Sequence, residues 1–167
     1  MWRFHQPVNV IFGEGEIKNI GKYLDEYGLK RAFMVVDDFL EESGAAKKLQ
    51  ELAEGKIAGL SSDVEPNPTI TNVSDVVKKM KGMKADCVIA FGGGSVMDCA
   101  KAAAAATLEH CMPEELLNGH PITSALPVIA IPTTAGTGSE VTAGAVLSDK
   151  EKGIKAAIFS PFLFPTI

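Results

Sequence analysis

The sequence predicts an α/β domain in which helices cover both faces of a parallel sheet. From residue 8 to residue 131, short apolar runs typical of buried strands alternate with helical patterns, which is the order that a parallel sheet requires. Near the end of the chain, two β-prone runs joined by the segment DKEKG predict an additional β-hairpin. With 167 residues and 46% apolar content, the chain can bury the core of one such domain.

The individual elements follow from the apolar runs and from their spacing. Runs rich in Val, Ile, Phe and Ala predict the strands, and apolar residues that recur every three or four positions predict the helices. The predicted strands are residues 8–12, 32–36, 57–60, 88–91 and 128–131. The predicted helices are residues 16–27, which close at Gly28, residues 45–54, a helix capped by Thr71 or Asn72 that ends near Gly82, and the alanine-rich segment after Gly94.

The last third of the chain adds smaller elements. One helical turn is predicted at residues 113–118, and a loop follows at residues 119–126. The hairpin is predicted from residues 143–148 and 154–159, with Gly153 in the turn. The final residues, SPFLFPTI, are apolar and resemble the start of another strand, so we expect this chain to be the front part of a longer protein.

The stretch from residue 85 to residue 101, ADCVIAFGGGSVMDCAK, is the first candidate binding element. A buried strand runs into three glycines and Ser95, and a helix starts there. A helix that begins directly after such a turn presents unpaired N–H groups and its positive dipole end, which suits a phosphate. The pattern is neither G-x-G-x-x-G nor a Walker A loop, and three glycines could also simply form a tight turn between strand and helix.

A second strand end of the same character follows at residues 128–141, VIAIPTTAGTGSEV. Pro132 ends the strand, and the next seven residues are threonine, glycine, serine and one alanine. Ligands of parallel sheets bind at the carboxyl ends of the strands, so two small-residue loops at this edge suggest the two sides of one crevice. Their joint occurrence favours a nucleotide or dinucleotide.

Three further residues are candidates for the same site. Asp37 follows the second predicted strand and could accept hydrogen bonds from both hydroxyls of an adenosine ribose, whereas Asp38 is interpreted as a helix cap. Since Asp37 precedes the glycines in the chain and the usual dinucleotide fold has the opposite order, a shared ligand requires a different strand order. Asn67, held between two prolines, could face a ligand or be an ordinary turn residue. Lys155 on the hairpin could reach a ribose or phosphate, or be merely solvated.

Composition excludes several classes of partner. The net charge of −5 and the absence of a basic stripe argue against nucleic acid. No stretch of 18 uncharged apolar residues occurs, so we expect no membrane association and a cytoplasmic protein. Three cysteines match neither a disulfide framework nor a zinc spacing.

Four motifs resemble those of the iron-containing (group III) alcohol dehydrogenase family. They are GGGSVMDCAK at residues 92–101, PTTAGTGSEVT at 132–142, EPNP at 65–68 and FGEG at 12–15. The resemblance covers essentially the whole chain. It implies that residues 1–167 form a Rossmann-like NAD(P)-binding domain, the N-terminal part of a two-domain enzyme whose all-helical second domain is absent from this chain.

The resemblance also implies a set of cofactor contacts. Asp37 would bind the adenosine ribose and Asn67 would lie beside the adenosine half. The glycines and Ser95 would bind the pyrophosphate, the threonines would face the phosphates and the nicotinamide side, and Lys155 would bind the nicotinamide ribose. The implied cofactor residues are Asp37, Asn67, Gly93, Gly94, Ser95, Thr133, Thr134, Thr137, Thr142 and Lys155. An acid at residue 37 would repel a 2′-phosphate, so NAD is expected and NADP is disfavoured.

The resemblance further implies a metal-assisted oxidoreductase that interconverts a small primary alcohol and its aldehyde, acting as a homodimer. The Fe²⁺ or Zn²⁺ ligands of the family belong to the helical domain, so no catalytic or metal-binding residue is expected here. Asp98 and Lys101 are assigned to the helix start and to packing. The alternatives are a glycerol dehydrogenase, a 3-dehydroquinate synthase, or a nucleotide-binding module that is inactive by itself.

Overall fold

Four parallel strands form the central sheet of the protein in the computed structural model, which describes residues 1–2 and 5–167. The strands are β1 (Ala32–Val36), β2 (Ile57–Ser61), β3 (Cys87–Gly92) and β4 (Val128–Pro132). They are hydrogen-bonded in the order β2-β1-β3-β4. β2 lies beside one edge of β1, and the chain then crosses to place β3 and β4 beside the other edge. The direction in which successive strands are added therefore reverses between β1 and β3.

This reversal brings two distant parts of the sequence to one edge of the sheet. Val36 is paired with Phe91, and Phe91 is paired with Ile131. The carboxyl ends of β1, β3 and β4 therefore lie side by side. A crevice outside the strand ends at such a reversal is the usual ligand site of an open parallel sheet. The observed strand order differs from that of the usual dinucleotide fold, as a ligand shared by Asp37 and the glycines would require.

Helices cover the sheet on both faces, as the alternation of patterns predicts. The α-helices are α1 (Ile20–Glu26), α2 (Asp38–Glu42), α3 (Ala45–Leu52), α4 (Ile70–Met83), α5 (Gly94–Leu108) and α6 (Pro113–Leu117). One face of the sheet packs against α4 and α5 through residues such as Phe33, Val76 and Met97. The other face packs against α1 and α3 through residues such as Met34 and Leu49.

The predicted hairpin is present and is attached to the rest of the domain. Its antiparallel strands are β5 (Gly144–Asp149) and β6 (Ile154–Phe159). The backbone N–H of Ser148 donates to the carbonyl of Pro68 at 2.9 Å, which fixes the hairpin beside the loop before α4. Ala145 and Leu147 are fully buried in the core, so the hairpin forms part of the hydrophobic core.

The prediction of a strand at residues 8–12 is wrong. These residues form no regular strand, because a strand needs a continuous ladder of hydrogen bonds. Among the described residues, the segment makes one backbone bond to a distant part of the chain, from Asn9 N–H to Thr166 O at 3.1 Å. The strand-like end of the chain does pair with β4. Thr166 N–H donates to Val128 O at 2.7 Å, and Ala130 N–H donates to Ile167 O at 2.8 Å.

Two predicted helix caps are displaced. The cap of α4 is Thr69, not Thr71 or Asn72, because its hydroxyl accepts from Asn72 N–H at 3.2 Å and the Asn72 side chain bonds back to Thr69. The cap of α2, for which the sequence patterns gave no residue range, is Asp37, not Asp38. Asp38 is the first residue inside α2.

Candidate functional site

The glycine turn, residues 92–95, ends β3 and opens α5. No side chain caps the start of this helix in the described part of the chain, so its first N–H groups remain available to a ligand. Gly93 and Gly94 are only partly buried, whereas the following Val96 and Met97 are buried. The turn thus presents backbone donors and a positive helix end to the crevice.

The threonine loop, residues 133–142, follows β4 and lies directly against the glycine turn. Thr133 N–H donates to Gly92 O at 3.0 Å. A Cβ on Gly93 would lie 3.1 Å from Thr134 Oγ1, and a Cβ on Gly94 would lie 3.2 Å from Thr137 Cβ. Larger residues at these glycines would push the loop away, so the small residues bring the two sides of the crevice together. All four predicted threonines, Thr133, Thr134, Thr137 and Thr142, are exposed.

The loop before α4 contributes Asn67 to the same place. Asn67 has a positive φ of 60°, a conformation that asparagine tolerates better than most residues. Its backbone N–H donates to Ser95 Oγ at 3.1 Å, and its side-chain Oδ1 accepts from Lys155 Nζ at 2.6 Å. Asn67, Ser95 and Lys155 come from three separate segments, and the structure gathers them into one connected group beside the glycine turn.

Asp37 stands at the end of β1, across the strand-order reversal from the glycine turn. Its Oδ1 accepts from Leu40 N–H at 2.9 Å and so caps α2. No hydrogen bond within the described residues uses its other carboxylate oxygen, which leaves acceptor capacity for a ligand. Among the described residues, no hydrogen bond or ion pair joins Asp37 to the other predicted site residues.

Asp98 and Lys101 lie on the face of α5 that meets the threonine loop and the hairpin. Asp98 accepts from Ser139 Oγ at 2.7 Å and from Val146 N–H at 3.0 Å. Lys101 has 0% exposure, and its Nζ donates to Thr142 O at 3.0 Å and Gly144 O at 2.8 Å. Burial lowers the pKa of the Lys101 ammonium to about 8, against the smaller opposite effects of nearby carboxylates. The first turn of α5 contains no acidic residue, so the expected place of Asp98 at the helix start is wrong. Both side chains do pack inside the domain, but the sequence patterns did not predict their hydrogen bonds to the threonine loop and the hairpin.

Three cavities in the described part of the chain lie outside this crevice. Cavities of about 140, 330 and 480 Å³ lie by the hairpin turn, at the outer side of β4 and beside β6. Within residues 1–2 and 5–167, no cluster of three or more His, Cys, Asp or Glu side chains could hold a metal ion. In the same part of the chain, no helix combines the length and apolar character needed to cross a membrane.

Comparison with known proteins decides the family. The model of the family described as iron-containing alcohol dehydrogenase matches residues 7–167. The chain belongs to this family. It is 37% identical to the 1-propanol dehydrogenase PduQ of Citrobacter freundii over 81% of this chain and 34% of that protein. It is 31% identical to the NAD-dependent methanol dehydrogenase of Bacillus methanolicus over 100% of this chain and 45% of that protein.

A solved structure of the family has the same fold. The sulfoacetaldehyde reductase of Bifidobacterium kashiwanohense, determined in complex with NAD⁺, superposes with a TM-score of 0.96 at 37% identity. The match covers 99% of this chain and 45% of that one. This family member therefore spans less than half the length of these relatives, and the Rossmann-like fold of the matched part is shared with a dinucleotide-binding enzyme.

Proposed function

We propose that this chain is the NAD-binding domain of an alcohol dehydrogenase that interconverts a small primary alcohol and its aldehyde. The observation that carries the proposal is the uncapped start of α5 at the strand-order reversal, where Gly93 and Gly94 lie close to Thr134 and Thr137. The names of the relatives, which concern propanol, methanol and sulfoacetaldehyde, support an alcohol and aldehyde substrate over glycerol or a synthase reaction.

The residues present fit a dinucleotide pyrophosphate. The site offers backbone N–H groups at the positive end of a 15-residue helix, which attract an anion. Ser95 Oγ accepts a bond from Asn67, so its own hydroxyl proton is free to point at a phosphate oxygen. The exposed hydroxyls of Thr133, Thr134, Thr137 and Thr142 would supply further donors toward the phosphates and the nicotinamide side.

Asp37 would select NAD over NADP. Its unused carboxylate oxygen would accept a hydrogen bond from the adenosine ribose while the other oxygen caps α2. A 2′-phosphate would bring a second negative charge beside the carboxylate, which is unfavourable. The Asp37 side chain would thus both cap α2 and determine the preference for NAD over NADP.

Lys155 and Asn67 would hold the sugar next to the nicotinamide. The hydrogen bond of 2.6 Å between them orients the ammonium, which has three donors and uses one here. The remaining donors would serve ribose hydroxyls. When bound, NAD supplies the acceptor of the hydride that the alcohol releases, and these side chains would hold the ring in place for that transfer.

The described residues offer no fit for the family's metal. We place the Fe²⁺ or Zn²⁺ ligands in a helical domain outside this chain, as the family resemblance implies, together with cytoplasmic localisation and a homodimer for the longer protein. Hydride transfer would then need both the domain formed by this chain and the helical domain.

A binding assay with an activity control tests the proposal. We expect this chain to change the fluorescence of NADH on titration, with saturation at one site, and to oxidise no alcohol even with Fe²⁺ or Zn²⁺ added. The methanol dehydrogenase of Bacillus methanolicus, assayed with NAD and methanol, is the positive control. Failure to bind NADH would contradict the proposed domain function, and alcohol turnover by this chain would contradict the placement of the metal.

A further inference from the structure

The side-chain amide of Gln6 joins the N-terminal segment, residues 5–9, to the threonine loop. Its Nε2 donates to Val141 O at 3.0 Å, and the two residues are 135 positions apart in the sequence. Its Oε1 accepts from Val8 N–H at 3.2 Å. Both polar ends of the amide are therefore used, one inside its own segment and the other at the threonine loop.

The N-terminal segment is itself fixed to the domain, so the Gln6 amide is held in place before it reaches the loop. The side chain of Val8 is buried. Asn9 N–H donates to Thr166 O at 3.1 Å, and Thr166 is in turn hydrogen-bonded to β4. An amide that is already ordered loses little further conformational entropy when it bonds to Val141.

The bond is made at the end of the threonine loop that we assign to the nicotinamide side. Val141 ends a short 3₁₀ helix, Ser139–Val141, and directly precedes Thr142. Side chains of α5 contact the same end of the loop. Gln6 contacts it from the N-terminal segment, so two separate parts of the chain hold the loop end.

The middle of the threonine loop is exposed and weakly bonded. Residues 132–137 are exposed, and Gly136 and Gly138 have positive φ values of 90° and 67°. Thr137 Oγ1 donates to Glu140 at a distance of 3.5 Å, which is long for a hydrogen bond. An exposed loop with few packed contacts opens easily, so the position of its threonines depends on where the loop end is held.

We propose that Gln6 is a positioning residue for the dinucleotide, which through Val141 O fixes Thr142 and the loop end at the nicotinamide side of the site. This inference rests on the proposed function. Gln6 does not need to contact the ligand. Its amide orders the loop end before binding, which reduces the ordering cost at the moment of binding. Since coupling is reciprocal, a bound dinucleotide also stabilises the N-terminal segment through the same bond.

The test compares the binding of NADH with that of ADP, which lacks the nicotinamide half. Gln6→Met removes both bonds of the amide, whereas Gln6→Glu retains the acceptor for Val8 N–H and removes the donor to Val141 O. We expect both variants to raise the Kd for NADH about fivefold and the Kd for ADP by less than about twofold. His5→Ala, at the exposed neighbouring position, is the control and should change neither Kd.

Two further measurements separate positioning from a general effect on stability. Hydrogen exchange of the Val8 and Asn9 amides should slow when NADH binds the unaltered chain, and Gln6→Met should abolish this slowing. Calorimetric titration with NAD⁺ should show that the binding deficit of Gln6→Glu, relative to the unaltered chain at the same pH, shrinks from about pH 7.5 to about pH 4.5. The reason is that a protonated carboxyl group can again donate to Val141 O.

Unchanged NADH binding in both variants would overturn the proposal. Equal weakening of NADH and ADP would also overturn it, because Gln6 would then support the domain as a whole. If the unaltered chain binds neither nucleotide, the proposed function fails and the positioning role fails with it. The anchoring of the loop is read separately from hydrogen exchange in residues 139–142, which Gln6→Met should accelerate, and unchanged exchange there would contradict it.

Discussion

Gly93 lies so close to Thr134 that a Cβ atom added to Gly93 would sit 3.1 Å from Thr134 Oγ1. The φ of Gly93 is −82°, a value that any residue adopts, so backbone strain is not the reason for glycine here. The close approach of the threonine loop is the reason. The glycine turn after β3 and the threonine loop after β4 therefore pack closely against each other, at the place where we propose that a phosphate binds.

Gly93→Ala should weaken NADH binding with little loss of stability. The added methyl group displaces the Thr134 hydroxyl by a few tenths of an ångström and narrows the approach to the start of α5, so we expect the Kd for NADH to rise about tenfold. Fluorescence titration measures this change.

Gly82→Ala is the matched control, since a Cβ there meets nothing within 4 Å. It should leave NADH binding unchanged and raise the free energy of unfolding by about 0.5–1 kcal/mol, because alanine is the better helix former in α4. Equal effects of the two substitutions on NADH binding would contradict the role of the close approach.

Asp37→Ser should shift the cofactor preference toward NADPH. Serine retains an oxygen that can cap α2 but removes the charge that would repel a 2′-phosphate, so the ratio of the Kd for NADPH to that for NADH should fall about tenfold or more. Asp38→Ser, which removes a neighbouring charge on the exposed side of α2, is the control. An unchanged ratio in Asp37→Ser would remove Asp37 from the ribose site.

Lys155→Met should weaken NADH binding without destabilising the domain. The hydrogen bond from Lys155 to Asn67 joins two exposed side chains, and such a bond adds little to stability because water competes for both groups. We therefore expect the melting temperature to stay within a few degrees while the Kd for NADH rises several-fold. Lys48→Met on the exposed side of α3 should alter neither quantity. A fall in stability with unchanged NADH binding would indicate that Lys155 only supports the loop at Asn67.

Glu109 provides a test by acid titration. One of its carboxylate oxygens accepts hydrogen bonds from the hydroxyl and backbone N–H groups of Thr123 and Ser124, at 2.6–2.9 Å. These bonds, above all the one from the Ser124 hydroxyl, lower the pKa of Glu109 to about 2. A carboxylate whose pKa is lowered by folding contributes stability that is complete above its ordinary pKa of 4.5 and is lost as the pH falls toward 2.

Glu109→Gln should therefore be less stable than the unaltered chain at pH 6, and the difference should shrink as the pH falls from about 4.5 to 2. Urea unfolding at several pH values measures it. A difference that stays constant over this interval would show that the charge of Glu109 does not contribute.

The sequence patterns predicted most of the sheet, the hairpin, and the position of the glycine turn and the threonine loop at strand ends, because these features are encoded locally. Apolar runs define Ala32–Val36 and Ile154–Phe159 to the residue, and glycine and threonine clusters mark the strand ends. The strand at residues 8–12 was predicted wrongly because its composition is strand-like but a strand forms only where a ladder partner runs beside it.

Other features depend on contacts between distant residues and could not be predicted. Whether Asp37 or Asp38 caps α2 depends on backbone geometry that either sequence position allows. The bond between Asn67 and Lys155 depends on how the hairpin docks. Lys101 looks like an ordinary helix lysine in the sequence, and only the packing of β5 against α5 reveals that it is buried and paired.

A crystal structure of this chain soaked with NADH tests the central claim most directly. We expect the pyrophosphate at the glycine turn, within hydrogen-bond distance of Gly94 or Ser95 backbone N–H, the adenosine ribose at Asp37 and the threonine loop in contact with the nicotinamide half. A nucleotide bound elsewhere, with both the glycine turn and the threonine loop empty, would contradict the account.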